Sequence, residues 1–329
     1  MNTIYKTRQL TEGAIMAVIT AVVALLGTFI PLINTLTVMV ITAPIIFVIV
    51  RNNISTGVLS SIVAAFLVGV IAGPIASLFF YIQFMFLAIV YGYLFTKKSS
   101  VATFLTAGTV VSVTATILLF LLVMVTGQIS FEEQKAVFNE AMERTIIQYE
   151  ESGVFDDLES QGYSKEDIRV MLDEMIKFVI NIIPTIIVIA SALTAILNFI
   201  FARLLLRKFD HKVPNFPKFT EWRLPWNFIW GFIAAWAVLL FGDVISSPVI
   251  LIIGQNVLIA YGAAFFIMGL STMAYVFKNA EISPIARVAF VFLIFFLFQS
   301  IVIITAFIGL LDLLLDTRKK IAERKEGKK

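Results

Sequence analysis

The chain has no cysteine and a single histidine, His211, among its 329 residues. Disulfides, thiolate nucleophiles and Cys-ligated zinc or iron–sulfur sites are therefore excluded, and one histidine cannot build a metal cluster or a His-Glu-x-x-His helix. Charge is scarce too: Asp, Glu, Lys and Arg together make up 14% of the chain, against roughly 25% in soluble domains. No Gly-x-x-x-x-Gly-Lys-Ser/Thr loop and no Gly-x-Ser-x-Gly turn occurs, which removes the P-loop cradle for ATP and the nucleophile elbow of hydrolases. What fills the chain instead is apolar: 60% of residues are hydrophobic and the mean hydropathy is +0.96. Uncharged tracts run over 13–50, 52–96, 99–131, 178–202, 224–242, 244–277 and 288–311. Each has room for one or two crossings, at about 20 apolar residues per span.

These tracts predict an all-α fold, a polytopic membrane helical bundle of about nine apolar helices (8–10 spans) with one extracytoplasmic acidic helical hairpin. The first span covers 12–30, with no small-residue cleavage pattern after its basic start, so it reads as a retained helix rather than a signal peptide. A break at Pro31 to Thr35 leads to a short second span ending at Arg51. Gly73-Pro74 divides the next tract into spans near 54–72 and 76–95, because proline cannot continue a helix and glycine favours a break. A fifth span covers 101–126, a sixth 178–202 with Pro184 near its start, and three more helices are expected near 226–243, 249–277 and 284–313. By domain, residues 1–208 form a six-span core and 209–329 a C-terminal membrane region of about three helices with a basic tail.

Residues 128–177 are the sizeable hydrophilic block, with thirteen acidic against five basic residues. Ser130 with Glu133, and Ser164 with Asp167, have the spacing of an N-cap and its reciprocal acidic partner. Gly153 and Gln161-Gly162 supply breaks. The block reads as a short helical hairpin extending from the fifth and sixth spans, or as a plain solvated connector. Lys6, Arg8, Arg51, Lys97, Lys98 and the basic connector Arg203 to Arg223 fall on one side if the first six spans alternate. The positive-inside bias makes that side cytoplasmic and puts 128–177 outside. The tail, with Arg318, Lys319, Lys320, Arg324, Lys325, Lys328 and Lys329, belongs inside by the same bias, which conflicts in parity with nine spans. Basic residues placed beside membrane segments are explained by topology, so nucleic acid is not an expected partner.

The span centres carry no Asp, Glu, Lys or Arg; Glu12, Asp243 and Asp312 sit at tract edges, where charge costs little. An ion-driven carrier and an intramembrane hydrolase both lose ground on this point, no enzyme activity is expected, and no cofactor is implied. Three constellations remain. Gly13, Ala17 and Ala21 place a small residue at every fourth position of the first span, a face that lets another helix approach closely, within the chain or on a partner subunit; Gly69 and Gly73 repeat the spacing. Asn34 in the first external loop, Tyr81 and Gln83 in the outer half of the fourth span, Thr116 as the outermost of Thr109, Ser112 and Thr116, and Asn181 opening the sixth are polar groups near the outer ends of spans. They suit either a pocket for a neutral or weakly charged small molecule or ordinary helix-to-helix bonding. Gly309, Asp312, Asp316 and Arg318 to Lys320 read as a membrane-surface anchor, in which an aspartate beside the basic cluster either pairs locally or caps the helix.

The Gly309…Asp312…Arg318 ending, the Glu221-Trp222-Arg223-Leu224-Pro225-Trp226 stretch before the seventh span and the acidic Gly-Tyr-Ser loop at 162–164 resemble the YybS-like family of multi-pass bacterial membrane proteins. That family is distantly similar to the S components of energy-coupling-factor vitamin transporters. The resemblance implies docking of a transmembrane coupling subunit, with its ATPase, on Ala17-x-x-x-Ala21. It also implies solute binding from outside near Asn34, Tyr81, Gln83 and Asn181. The chain departs from S components in its acidic insertion and its extra C-terminal third. Two functions follow as expectations: a solute-binding uptake component powered by a separate ATPase module, or a non-transporting membrane scaffold or regulator that acts through helix–helix contacts.

Overall fold

The computed structural model describes residues 2–126, 131–153, 162, 164–279, 283, 285, 292 and 298–326. Every regular element among them is helical. Seven helices are long and apolar enough to cross a bilayer, and two shorter apolar ones, Phe228–Val244 and Ile301–Leu315, follow the same pattern. The chain divides into two compact units: Met1–Ile176 with Ala190–Asn215, and Lys177–Ile189 with Phe216–Lys329. Residues 177–189, which the sequence groups with the first six spans, thus belong to the second unit.

The first unit is built from α1 (Asn2–Phe29), α2 (Pro31–Val40), α3 (Ala43–Arg51), α4 (Ile54–Ala72), α5 (Pro74–Phe80), a π turn (Tyr81–Met85) running into α6 (Phe86–Thr96), α7 (Val101–Val125), α8 (Phe131–Glu151) and the two ends of α9 (Lys165–Lys208). The expected punctuation is visible. Gly73 takes φ 92°, open to glycine but not to most residues, and Pro74 starts α5 at a position that needs no N–H. Asn53 and Ser100 cap α4 and α7 by accepting from Thr56 N at 2.8 Å and Thr103 N at 3.2 Å. The break after the first span is sharper than expected. Pro31 acts as an N1 residue, so helix resumes at once and Asn34 lies in α2, not in a loop.

The second span is two helices, parted at Ile41–Thr42. Asn198 of α9, fully buried, holds the junction: its Oδ1 accepts from Thr42 Oγ1 at 2.7 Å and its Nδ2 donates to the Val38 carbonyl at 3.0 Å. Ile45, Ile46, Val48 and Ile49 on α3 are at most 1% exposed. A helix apolar on every side belongs at the centre of its bundle. Around it Tyr91, Phe95, Phe104 and Phe199 form a ring cluster with centroids 4.4 to 6.4 Å apart, and Tyr91 donates to the Ala195 carbonyl at 2.9 Å. On the outside, Ile15, Val18, Val22 and Phe29 of α1 are 49 to 62% exposed, a face suited to lipid.

The hydrophilic block supplies α8 and the start of α9, where Ser164 and Asp167 form the reciprocal cap: Asp167 N donates to Ser164 Oγ at 3.2 Å and Ser164 N to Asp167 Oδ2 at 2.9 Å. The second arm of the block is continuous with the sixth span, one helix of 44 residues. Ser130 and Gln161, named as a cap and a break, lie outside the described residues, as does most of 284–297.

The second unit holds the middle of α9, a single 3-10 turn (Phe219–Glu221), α10 (Phe228–Val244), α11 (Pro248–Asn279), α12 (Phe298–Leu315) and α13 (Thr317–Glu326). Its helices meet at glycines. A methyl group at Gly269 would overlap the Thr305 carbonyl, and one at Gly309 the Phe265 carbonyl, so α11 and α12 touch backbone to backbone. Phe228, Phe232, Tyr261 and Phe265 pack beside this contact with centroids 4.5 to 6.1 Å apart.

Candidate functional site

In the first unit a cavity of about 540 Å³ opens among α1, α2, α5, the π turn and α7. Four polar residues, Thr28, Asn34, Thr37 and Gln83, contribute to its lining. Asn34 is fixed by its Nδ2, which donates to the Gly27 carbonyl at 3.0 Å, and Thr37 by its hydroxyl, which donates to the Asn34 carbonyl at 2.8 Å. Gly27 has to be glycine for this, because a Cβ there would run into Thr37 Oγ1. Gln83 comes from the π turn, a wider helical turn that shifts the side chains after it and recurs at functional sites. Its amide meets Thr116 at 3.4 Å and 3.5 Å, contacts too long to be strong, so it keeps donor and acceptor capacity. Ile75, Phe79, Phe80, Phe84 and Leu119 supply apolar wall, and among the described residues no charged side chain lines the space.

Asn34 and Gln83 therefore share one cavity, with Thr116 bonded to Gln83 behind it. Tyr81 stands on the same π turn, but its ring packs edge-on against Phe86 at 5.7 Å and does not line the space. Asn181 belongs to the second unit, where its carbonyl accepts from Asn256 Nδ2 at 2.6 Å. The Asn256 amide also accepts from Thr185 N at 3.0 Å, filling the place in the α9 ladder beside Pro184. The small-residue stripe is covered: Ala17 and Ala21 are 0 and 3% exposed, and Gly13 lies against Ser60 and Thr56 of α4. Of the α7 hydroxyls, Thr109 and Thr116 bond back to Leu105 and Ser112 carbonyls at 2.8 and 2.9 Å, while the buried Ser112 Oγ has no partner among the described residues.

A second polar centre is one of which sequence reasoning saw the local pairing but not the burial. Arg318, assigned to the basic tail, is 1% exposed. Its Nε donates to Asp312 Oδ2 at 2.9 Å, Nη1 to the Thr220 carbonyl at 2.9 Å and Ser271 Oγ at 3.1 Å, and Nη2 to Thr272 Oγ1 at 2.9 Å. Asp312 Oδ1 accepts from the Thr317 hydroxyl as well. The expectation that Asp312 sits where charge costs little is corrected: its side chain is 9% exposed, and the pair is tolerated because all three guanidinium nitrogens of Arg318 donate to protein acceptors. A helical signal did exist, since Asp312 and Arg318 flank a break at Asp316, whose φ of 46° is left-handed. Nothing local, however, announces that Ser271 and Thr272 stand opposite. Glu12 forms a smaller centre, paired with Arg8 and Arg51, each at 3.1 Å.

Comparison with known proteins places these features in a family. The protein is similar to "Uncharacterized protein YybS" of Bacillus subtilis (strain 168), with 22% identity over 321 residues, covering 96% of this chain and 99% of that one. No solved structure matches. The sequence pattern of the family described as "Predicted membrane protein (DUF2232)" matches residues 18–313, nearly the whole helical membrane region, and the chain belongs to that family.

Proposed function

We propose that this multi-pass membrane protein is not an enzyme but binds a small, neutral or weakly charged organic solute for uptake, with energy supplied by a separate ATPase module. The cavity of the first unit carries the reading. Its volume of about 540 Å³ falls within the roughly 300–1,000 Å³ of small-molecule pockets, and its apolar walls with a few placed amides and hydroxyls have their usual chemistry. A charged solute would meet no counter-charge there, whereas Asn34, Thr37 and Gln83 can orient a neutral one by hydrogen bonds. In the orientation given by Lys6, Arg8, Arg51 and Lys97-Lys98, the N-terminus is cytoplasmic and the α1–α2 turn beside the cavity is extracytoplasmic. That is the side from which a solute would arrive.

Buried Ala17 and Ala21 are unavailable to a partner, so an energising subunit would dock on another face. The scaffold alternative loses the same surface and has no other observation behind it. The test is native mass spectrometry of protein purified from its own membranes. A retained small molecule, lost in Gln83→Leu, supports the reading. If neither a small molecule nor an ATPase accompanies the wild type, the reading fails.

A further inference from the structure

The second unit holds a cavity of about 290 Å³ beside Arg318. Its floor is the Arg318–Asp312 pair, buried with each charge against its counter-charge at 2.9 Å, so the floor offers a ligand no unpaired charge. Its mouth differs. Arg223 and Asp316 form an ion pair at 3.0 Å with side chains 50 and 51% exposed. Among the described residues, one Arg223 nitrogen, Nη1, is engaged, and of Asp316 only Oδ1 accepts from a side chain. A guanidinium has five N–H donors and a carboxylate about four acceptor positions, so both groups can take a second partner. An exposed pair of this kind is weak and exchanges partners at little cost.

The cavity lies where apolar helices end. α10 begins just after Arg223, α12 stops at Leu315 just before Asp316, and α13 is hydrophilic. Trp226, 60% exposed and paired edge-on with Trp230, lines the same space, an aromatic of the type that sits at lipid headgroup level. Leu314, which also lines the cavity, shares a stripe of α12 with Ile303 and Phe307; these two and Ile304 leave an apolar face exposed by 70, 58 and 56%.

We propose that this cleft binds the headgroup of a zwitterionic phospholipid with a primary ammonium, of the phosphoethanolamine type. The phosphate accepts hydrogen bonds from the unused N–H groups of Arg223, the ammonium donates to Asp316, and the acyl chains follow the exposed face of α12. Charge complementarity selects the class. A cation and an anion stand side by side with no net charge between them, so a purely anionic headgroup would set its phosphate against the Asp316 carboxylate. A quaternary ammonium has no N–H to give that carboxylate, whereas a primary one does. The assignment is independent of the solute reading, which concerns the other unit.

The full chain is reconstituted in nanodiscs of equal parts phosphatidylethanolamine, phosphatidylglycerol and phosphatidylcholine, and lipids retained on gentle release are counted by native mass spectrometry. Phosphatidylethanolamine should be retained about tenfold over either competitor, and Arg223→Gln and Asp316→Asn should each lower that preference by about as much. Arg144→Gln, exposed on α8, should leave it unchanged. Tryptophan-fluorescence melting of each variant separates lost binding from lost folding. It adds a second readout, because phosphatidylethanolamine should raise the melting temperature of the wild type and not of a folded Asp316→Asn. Equal retention of phosphatidylglycerol or phosphatidylcholine overturns the proposal. So does retention indifferent to both variants, which would mark unselective annular lipid. Soluble phosphoethanolamine competing as well as the lipid would overturn the lipid as the source.

Discussion

The cavity of the first unit and the Arg318 centre of the second are both polar groups set among apolar helices, yet they are built in opposite ways. Around Gln83 the polar atoms are uncharged, loosely bonded and open to a space of about 540 Å³. Around Arg318 they are charged, and the guanidinium is engaged on all three nitrogens by partners from the 3-10 turn, α11 and α12. A buried charge has to be answered by protein, and once answered it has little left for a ligand. Spare capacity therefore marks a binding site and its absence marks a structural one. The contrast predicts that mutations at the two places will separate stability from ligand retention.

The largest effect is expected at the closed centre. Arg318→Leu leaves Asp312 buried and uncompensated, which should cost about 3–5 kcal/mol, read as a drop in the tryptophan-fluorescence melting temperature. Replacing both partners, as in Asp312→Leu with Arg318→Met, should recover much of the loss, because no orphan charge remains. An Arg318→Leu protein that melts with the wild type would break the comparison at its stronger end.

Asn198 tests whether the first unit has a closed centre of its own. Its amide serves Thr42, Val38 and Thr194 while fully buried. Asn198→Leu strands the Thr42 hydroxyl and the Val38 carbonyl and should cost about 1–3 kcal/mol, measured by the same melting curve. Gln83→Leu, by contrast, removes only contacts of 3.4 and 3.5 Å at the edge of a cavity. It should move stability by less than about 1 kcal/mol while abolishing retention of any solute bound there. A Gln83 variant as damaged as the Asn198 one would mean that the cavity, too, is a packing device.

Legibility in the sequence follows the range of the interactions. Helix identity, the Gly73-Pro74 break and the Ser164–Asp167 cap are set within a few residues, so they could be read directly. Asn34 was misplaced because proline both ends and starts helices, and only the next turn shows which; here Pro31 sits at N1. Gln83 could be picked out as polar, but the π turn that presents it follows from packing and has no local signature. Arg318 was the hardest case. Its neighbours in the chain are solvated lysines, and its partners Ser271 and Thr220 lie 47 and 98 residues away. Charge at a tract edge can face water or turn inward, and composition is the same for both. The small-residue stripe was legible as a packing face but not as to whose helix covers it.

The smallest effect concerns a pair that resembles the Arg318 centre in composition but not in burial. Glu12 Oε1 accepts from Arg8 Nε and forms an ion pair with Arg51 Nη2, each at 3.1 Å, yet the Arg8 side chain is 66% exposed and that of Arg51 36%. An exposed i,i+4 pair is worth about 0.3–0.5 kcal/mol, screened further by salt, so Arg8→Ala should barely move the melting temperature. Arg51 also lies over the Phe47 ring, 5.6 Å from its centroid, which adds a cation–π contribution of about 0.5–1 kcal/mol. Arg51→Ala should therefore cost more, about 1 kcal/mol. Double-mutant cycles with Glu12→Gln isolate the two couplings to Glu12, of which that of Arg8 should fade between low and high salt, while a cycle of Arg51→Ala with Phe47→Leu reads the cation–π part, which should persist. Equal couplings for the two arginines would mean that desolvation does not grade these charges, and the contrast between Gln83 and Arg318 would then need another cause.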